Sequence, residues 1–268
     1  MSTDTATTTP AVGDGSTGRP GDPTPLAGRP GVPFSRTLHA EVRKMVDTRA
    51  GRWMVIVMAA LTVLILGAFV IWGPTDDASF TDLVQIAIQP LAMLLPVIGI
   101  MAATAEWSQR TGLVTFTLEP RRGRVVLAKA LGALVLGLVV MAVAFAAAAL
   151  ANLASGGTWD LGAGAAGKLV LALLIFVLQG VAFGLLFLNT PVAIVTVLVL
   201  PTAWTIVTQV VGSLSGVGAW LDLNAVTRPL LSGDITARDW AQLGTGVGVW
   251  VLLPLAVGTW RVLAREVK

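Results

Sequence analysis

A single histidine, His39, and the absence of cysteine limit the chemistry this sequence can perform. Without thiols there are no disulfides, thiolate metal sites or cysteine nucleophiles. One imidazole gives no support to a His-based zinc site or a Ser/His/Asp triad. The nearest approach to a nucleotide motif is Gly162-x4-Gly167-Lys168, which resembles a phosphate-binding loop but fails as one. Leu169 stands where a Ser or Thr would hold magnesium, and no strand pattern precedes the glycines. The expectation is a chain that is not an enzyme and binds no cofactor or metal of its own.

The residues left to act are polar side chains in apolar surroundings and one charged loop. Gln85, Gln89, Gln179 and Gln209 fall inside long apolar runs. An amide in hydrocarbon needs a partner, so each either bonds across helices or lines a path. The loop, Glu106-Trp-Ser-Gln-Arg-Thr-Gly-Leu-Val-Thr-Phe-Thr-Leu-Glu-Pro-Arg-Arg-Gly-Arg124, mixes both charges with Trp107, Phe116 and Leu118. Leu188-Asn189-Thr190-Pro191 shows how short a simple chain reversal can be. The extra length and interleaved apolar residues of the charged loop suit docking to a partner.

Composition says what must position these residues. The chain has 268 residues, 55% hydrophobic and only 12% charged, with a mean hydropathy of +0.80. So few charges cannot clothe a water-soluble globule, for which about a quarter charged is ordinary. Six stretches are long enough to span a bilayer: 53–72, 83–105, 125–153, 169–188, 191–211 and 243–260. Twenty residues at 1.5 Å rise give roughly 30 Å, the thickness of a hydrocarbon core. Pro90, Pro96 and Pro254 interrupt spans but are tolerable where neighbouring helices satisfy the freed carbonyls. Gly180-x3-Gly184 and Gly244-x3-Gly248 permit close helix approach.

Before the first span, Phe34, Leu38, Val42, Met45 and Val46 recur at helical spacing, with Arg36, His39, Arg43, Lys44 and Asp47 largely opposite. That pattern describes a basic amphipathic helix in the membrane interface; the plainer alternative is an ordinary basic flank. Residues 1–33, rich in Thr, Pro and Gly, read as a disordered cytoplasmic tail with no signal-peptide pattern. The stretch 213–223 is too short to span and too apolar for a free loop, so it reads as a re-entrant or interfacial helix on the outer side.

Basic residues orient the chain. Arg19, Arg29, Arg36, Arg43, Lys44, Arg49 and Arg52 precede the first span. Arg110, Arg121, Arg122, Arg124 and Lys129 follow the second, and Arg261, Arg265 and Lys268 follow the last. Only Lys168, Arg228 and Arg238 remain for the other side. The expected fold is therefore an all-α, multi-pass protein of the cell membrane with six transmembrane helices and both termini cytoplasmic. Lys129, at the start of its span, is expected to snorkel.

Several of these features together resemble the permease subunit of an ATP-binding-cassette exporter of the type-2 bacterial class. They are the basic helix ending Glu41-Val-Arg-Lys-Met-Val-Asp-Thr-Arg49, the motif Glu106-Trp-Ser-Gln-Arg-Thr-Gly112, and Thr115-Phe-Thr-Leu-Glu-Pro-Arg-Arg122 followed by Lys129. The resemblance covers residue 34 to the end. It implies pairing with a second permease subunit, identical or homologous, around a shared path, and a separate cytosolic ATPase that holds ATP and magnesium. By carry-over, Glu106, Trp107, Arg110, Glu119, Arg121 and Arg122 would contact that ATPase, with Phe116 as apolar anchor. The helix bearing Leu38, Val42, Arg43, Lys44 and Met45 would touch the ATPase as well. The absence of fixed charge at mid-span points to a hydrophobic or amphiphilic cargo such as a drug, lipid or lipid-linked product, moved outward. The rival readings are a non-transporting anchor, scaffold or immunity module and an ion-coupled secondary transporter. Membrane lipid is an expected partner and nucleic acid is not.

Overall fold

The computed structural model describes residues 32–74, 78–109, 111, 115, 121–232 and 235–264. The expected tail, 1–33, lies outside them except for Val32 and Pro33. The described chain is helical, and six of its helices are long and apolar enough to cross a membrane. In order they are α1 (Phe34–Asp47), α2 (Arg49–Trp72), α3 (Phe80–Ser108), α4 (Arg122–Ser155), α5 (Ala163–Phe187) and α6 (Thr190–Val210). Two short helices follow, α7 (Ser215–Leu221) and α8 (Leu223–Ser232), then α9 (Ala237–Val247), which runs through a π-helical turn at Gly248–Leu252 into α10 (Leu253–Ala264). The spans are α2 to α6 and the continuous run Ala237–Ala264.

Several helices start earlier than the apolar runs alone indicate, because capping boxes add a polar turn. Ser79 Oγ accepts from the Asp82 amide, and the Asp82 carboxylate accepts from the Ser79 amide, so α3 begins at Phe80. Thr236 and Asp239 do the same for α9. Each such cap satisfies amides that a helix start leaves orphaned. Pro254 accounts for the π turn before it. Proline cannot donate to the fourth residue back and its ring crowds that carbonyl. The ladder widens instead, and Leu253 donates to Gly248.

The molecule is inverted relative to a water-soluble domain. Leu64, Ile71, Leu150, Leu153, Val195 and Val210 are all exposed, and an apolar girdle of that extent marks a membrane surface. Burial separates the spans: in the most apolar 18-residue stretch of α5 72% of residues are buried and in that of α3 61%, against 17% in α2 and in α6. The core is therefore the α3–α5 pair. Its closeness is set by glycine, since a Cβ on Gly180 would collide with the Pro96 carbonyl and one on Gly99 with the Val177 carbonyl. The Gly180-x3-Gly184 reading thus describes packing inside the chain. Gly244 and Gly248 meet nothing within 4 Å. Gly180→Ala is expected to destabilise by about 1–3 kcal/mol, the usual cost of overpacking. Gly244→Ala is expected to be neutral or mildly favourable, alanine being the better helix former. Melting in detergent checks the pair, and equal midpoints would refute the close approach.

At the end of the bundle away from α1, a polar clasp closes the α4–α5 connection over the start of α3. Phe80 donates its amide to the Thr158 carbonyl at 2.9 Å, and Asp160 Oδ1 accepts from the Thr81 amide at 3.0 Å and hydroxyl at 2.9 Å. The Thr81 amide, more than any other group, holds the Asp160 carboxyl below its ordinary pKa. The stretch expected as a re-entrant or interfacial segment is built from a 3-10 turn, Gly212–Leu214, followed by α7 and α8. They meet at Asp222, whose carboxylate caps α8 by accepting from the Asn224 and Ala225 amides. Trp250 Nε1 donates to the Leu221 carbonyl at 2.5 Å and so ties α7 to the last span.

Candidate functional site

At the α1 end of the bundle three elements converge on a buried group of charges. Lys129 of α4 donates to Glu41 of α1 at 2.8 Å, to Glu106 of α3 at 2.5 Å and to the Ala102 carbonyl at 3.2 Å. Lys44 donates to Glu41 at 2.7 Å and reaches Glu106 at 3.3 Å. The side chains of Lys129, Glu41 and Glu106 are only 3–5% exposed, while Lys44 is 44% exposed and closes the cluster toward solvent. Two carboxylates face two ammonium groups, so the formal charges cancel, the condition under which buried ions are tolerable. Of the charged atoms in this cluster, Glu106 Oε2 is the one buried without a hydrogen-bond partner.

Lys44 keeps its proton more firmly than a free lysine. Burial, the largest single influence, works against its charge, but the hydrogen bond and negative charge of Glu41, then of Glu106, together outweigh it. Its pKa is raised, so the stabilisation is complete below the ordinary lysine value and is lost only as pH rises through the higher folded value. The cluster is therefore insensitive to Lys44 titration anywhere near neutral pH.

Local sequence explains why these side chains meet. Thr48 ends α1 and caps α2 by accepting from the Gly51 amide at 3.1 Å. Gly51 permits the turn, because a Cβ there would strike the Met45 carbonyl. The chain thus folds α1 back onto the bundle. Met45 is buried, and Met45 and Val42 rest on the bare backbone of Gly132 in α4. The apolar face of α1 is therefore at least partly a protein contact, with Glu41 on the same inward side as Met45, one turn away. Leu38 and Val42 are half-buried and Arg43 is exposed, paired with Asp47 at 2.9 Å.

The structure redistributes the residues expected from sequence. Lys129 does not snorkel; two glutamates hold it inside the protein. Glu106, expected to face a partner, is instead buried beneath Lys44 and Lys129. Trp107 is half-buried against the core. Arg121 is exposed at the start of α4. Arg122 donates to the Val262 carbonyl at 3.1 Å, fastening α4 to the end of the last span. Arg124 likewise reaches the Val32 carbonyl at 2.9 Å, with its guanidinium 6.0 Å from the Phe34 ring centre. Arg110, Phe116 and Glu119 lie outside the described residues.

The four glutamines do not share a cavity. Gln85 and Gln89 line one groove of about 500 Å³ between the end of α2 and the start of α3, where Gln85 also donates to the Leu231 carbonyl at 3.3 Å. Gln179 is buried in α5 with its Nε2 unpartnered, and Gln209 is exposed near the end of α6. A larger cavity, about 720 Å³, lies beside the ion cluster between α1, the start of α2 and the end of α3. No local pattern in the sequence marks it. The phosphate-loop-like glycines are part of a helix start: Gly162 caps α5, and Gly167 and Lys168 lie in its opening turns. No protein-family model matches the sequence, and no curated protein is similar to it at a significant level. The geometry and chemistry of this end of the molecule therefore carry the functional reading.

Proposed function

We propose that this chain is the membrane-spanning permease subunit of an ATP-driven exporter of the ATP-binding-cassette type, moving a hydrophobic or amphiphilic substrate outward. The observation that most supports the reading is the buried cluster of Glu41, Lys44, Glu106 and Lys129. It fuses α1 to the two helices that flank the charged loop. A partner pushing on that loop would therefore move α3 and α4 as one body with α1, rather than bending a slack connection. The same end of the bundle carries Arg36, Arg43, Arg49, Arg52, Arg121, Arg122, Arg124 and Arg261, which fits a cytoplasmic face.

In this scheme the ATPase is a separate cytosolic protein that binds ATP and magnesium, and Arg121 with the loop 110–119 supplies its contact. The sparsely buried α2 and α6 leave apolar faces for lipid or a second permease subunit. The segment from Gly212 to Ser232 closes the outer end. The test is a mild-detergent pull-down of the tagged full chain from its native membrane. A co-purifying ATPase with a complete phosphate-binding loop, in about equal amount, is the expected result. Absence of any ATPase, together with efflux that survives ATP depletion and stops with uncouplers, would instead select an ion-coupled transporter.

A further inference from the structure

The 720 Å³ cavity beside the ion cluster has the size of a small-molecule site, roughly 300–1,000 Å³. Its lining changes character along its length. Arg36, Thr37, Ser108 and Thr111 stand at one end. Met54, Ile98, Met101 and Leu136 form the other. Ile98 lies eight residues before Glu106 and Leu136 seven after Lys129 on their helices. The apolar part therefore reaches roughly 10 Å deeper than the charges, at 1.5 Å per residue. Trp53, exposed at the start of α2, marks the level where polar surface gives way to the apolar girdle. The cavity crosses that level, so it is wet at one end and dry at the other.

We infer that this cavity is a binding site for a membrane phospholipid with an anionic headgroup, one acyl chain lying between α1, α2 and α3 and the phosphate at Arg36. Two observations select this occupant. Arg36 is exposed at the mouth and its side chain has no partner among the described residues. A guanidinium is well matched to phosphate oxygens, and the hydroxyls of Thr37 and Thr111 also line the cavity. The apolar walls carry three methionines, Met45, Met54 and Met101, whose unbranched side chains adapt to a flexible chain. The carboxylates do not oppose the headgroup, because Glu41 and Glu106 are neutralised by Lys44 and Lys129 below it. The inference needs only a bilayer and does not rest on the export reading.

The experiment uses the full chain in phosphatidylcholine nanodiscs doped with a phosphatidylglycerol probe carrying a diazirine in its acyl chain. A phosphatidylcholine probe with identical chains is the control. The phosphatidylglycerol probe is expected to label peptides containing Met54 and Met101 about tenfold more than the control, whose phosphate charge is offset at Arg36 by its own ammonium group. Arg36→Glu is expected to erase that preference. Ala105→Trp, which fills the cavity, should abolish labelling there while labelling of the exposed face of α6 persists as the reference. Ala40→Trp fills the same space from an exposed position on α1 and serves should the first variant misfold. Equal labelling by both probes, labelling unchanged in Ala40→Trp, or displacement by inorganic phosphate would overturn the site. So would labelling that appears only after residues 1–31 are deleted, which would make the amino-terminal segment the occupant.

Discussion

Replacing Lys129 with methionine is expected to cost about 3–5 kcal/mol, the usual loss when one member of a buried ion pair is removed. The reason is not the attraction forfeited but the carboxylates left behind. Glu41 and Glu106 are each at most 4% exposed and would face one another with only the half-exposed Lys44 between them. The triple variant Glu41→Gln, Glu106→Gln, Lys129→Met removes the stranded charges along with their partner. Apolar or neutral replacement of a whole buried ionic group is often neutral or stabilising, so the triple variant should recover most of the lost melting temperature. Detergent melting of the two variants separates the explanations. If the triple variant melts as low as the single one, packing of the lysine stem rather than uncompensated charge explains the loss. Transport adds a second readout. Under the proposed function the triple variant folds but transmits the loop's motion poorly, because α1 is no longer fastened to α3 and α4 by charge.

What the sequence makes legible here follows from the range of each interaction. Apolar length is a local property, so all six spans can be read from hydropathy, as can the separate helix beginning at Phe34. Starts at Phe80 and Ala237 were also legible, in Ser79-x-x-Asp82 and Thr236-x-x-Asp239, signals that a hydropathy window passes over because they are polar. Asp222 ahead of Leu223-Asn224 is a third such signal. It divides the segment between α6 and α9 into two helices where apolar content alone suggests one. The ion cluster is a different case. Glu41 and Lys129 are separated by 88 positions and Glu106 and Lys129 by 23. Each residue alone has an adequate exposed reading, a snorkelling lysine or a docking glutamate. Only the sharp turn at Thr48 and Gly51, which lays α1 against Gly132, puts them together. Gln179 shows the same limit from the other side, since its burial is legible but the want of a partner at Nε2 is not.

Reversing the charge of Arg121 and of Arg122 is expected to give two different defects, although the residues are adjacent. Arg122 donates to the carbonyl oxygens of Val262 and Leu263, where the last span ends and its backbone dipoles present negative charge. Arg122→Glu removes a charge-assisted hydrogen bond worth about 1.5–3 kcal/mol and sets a carboxylate against those same carbonyls. A lower melting temperature and earlier proteolysis of the carboxy-terminal helix should follow and, under the proposed function, loss of transport as a consequence. Arg121 is exposed at the N-cap of α4, and under the proposed function its reversal should weaken co-purification of the ATPase by more than it lowers the melting temperature. The double variant would confuse these effects, because under the proposed function a misdocked last span and a repelled partner would both end transport. Made singly, the variants assign them. Should Arg121→Glu retain both its ATPase and substrate-stimulated hydrolysis, the contact surface does not include the start of α4, and the docking role would pass to the loop residues Arg110, Phe116 and Glu119.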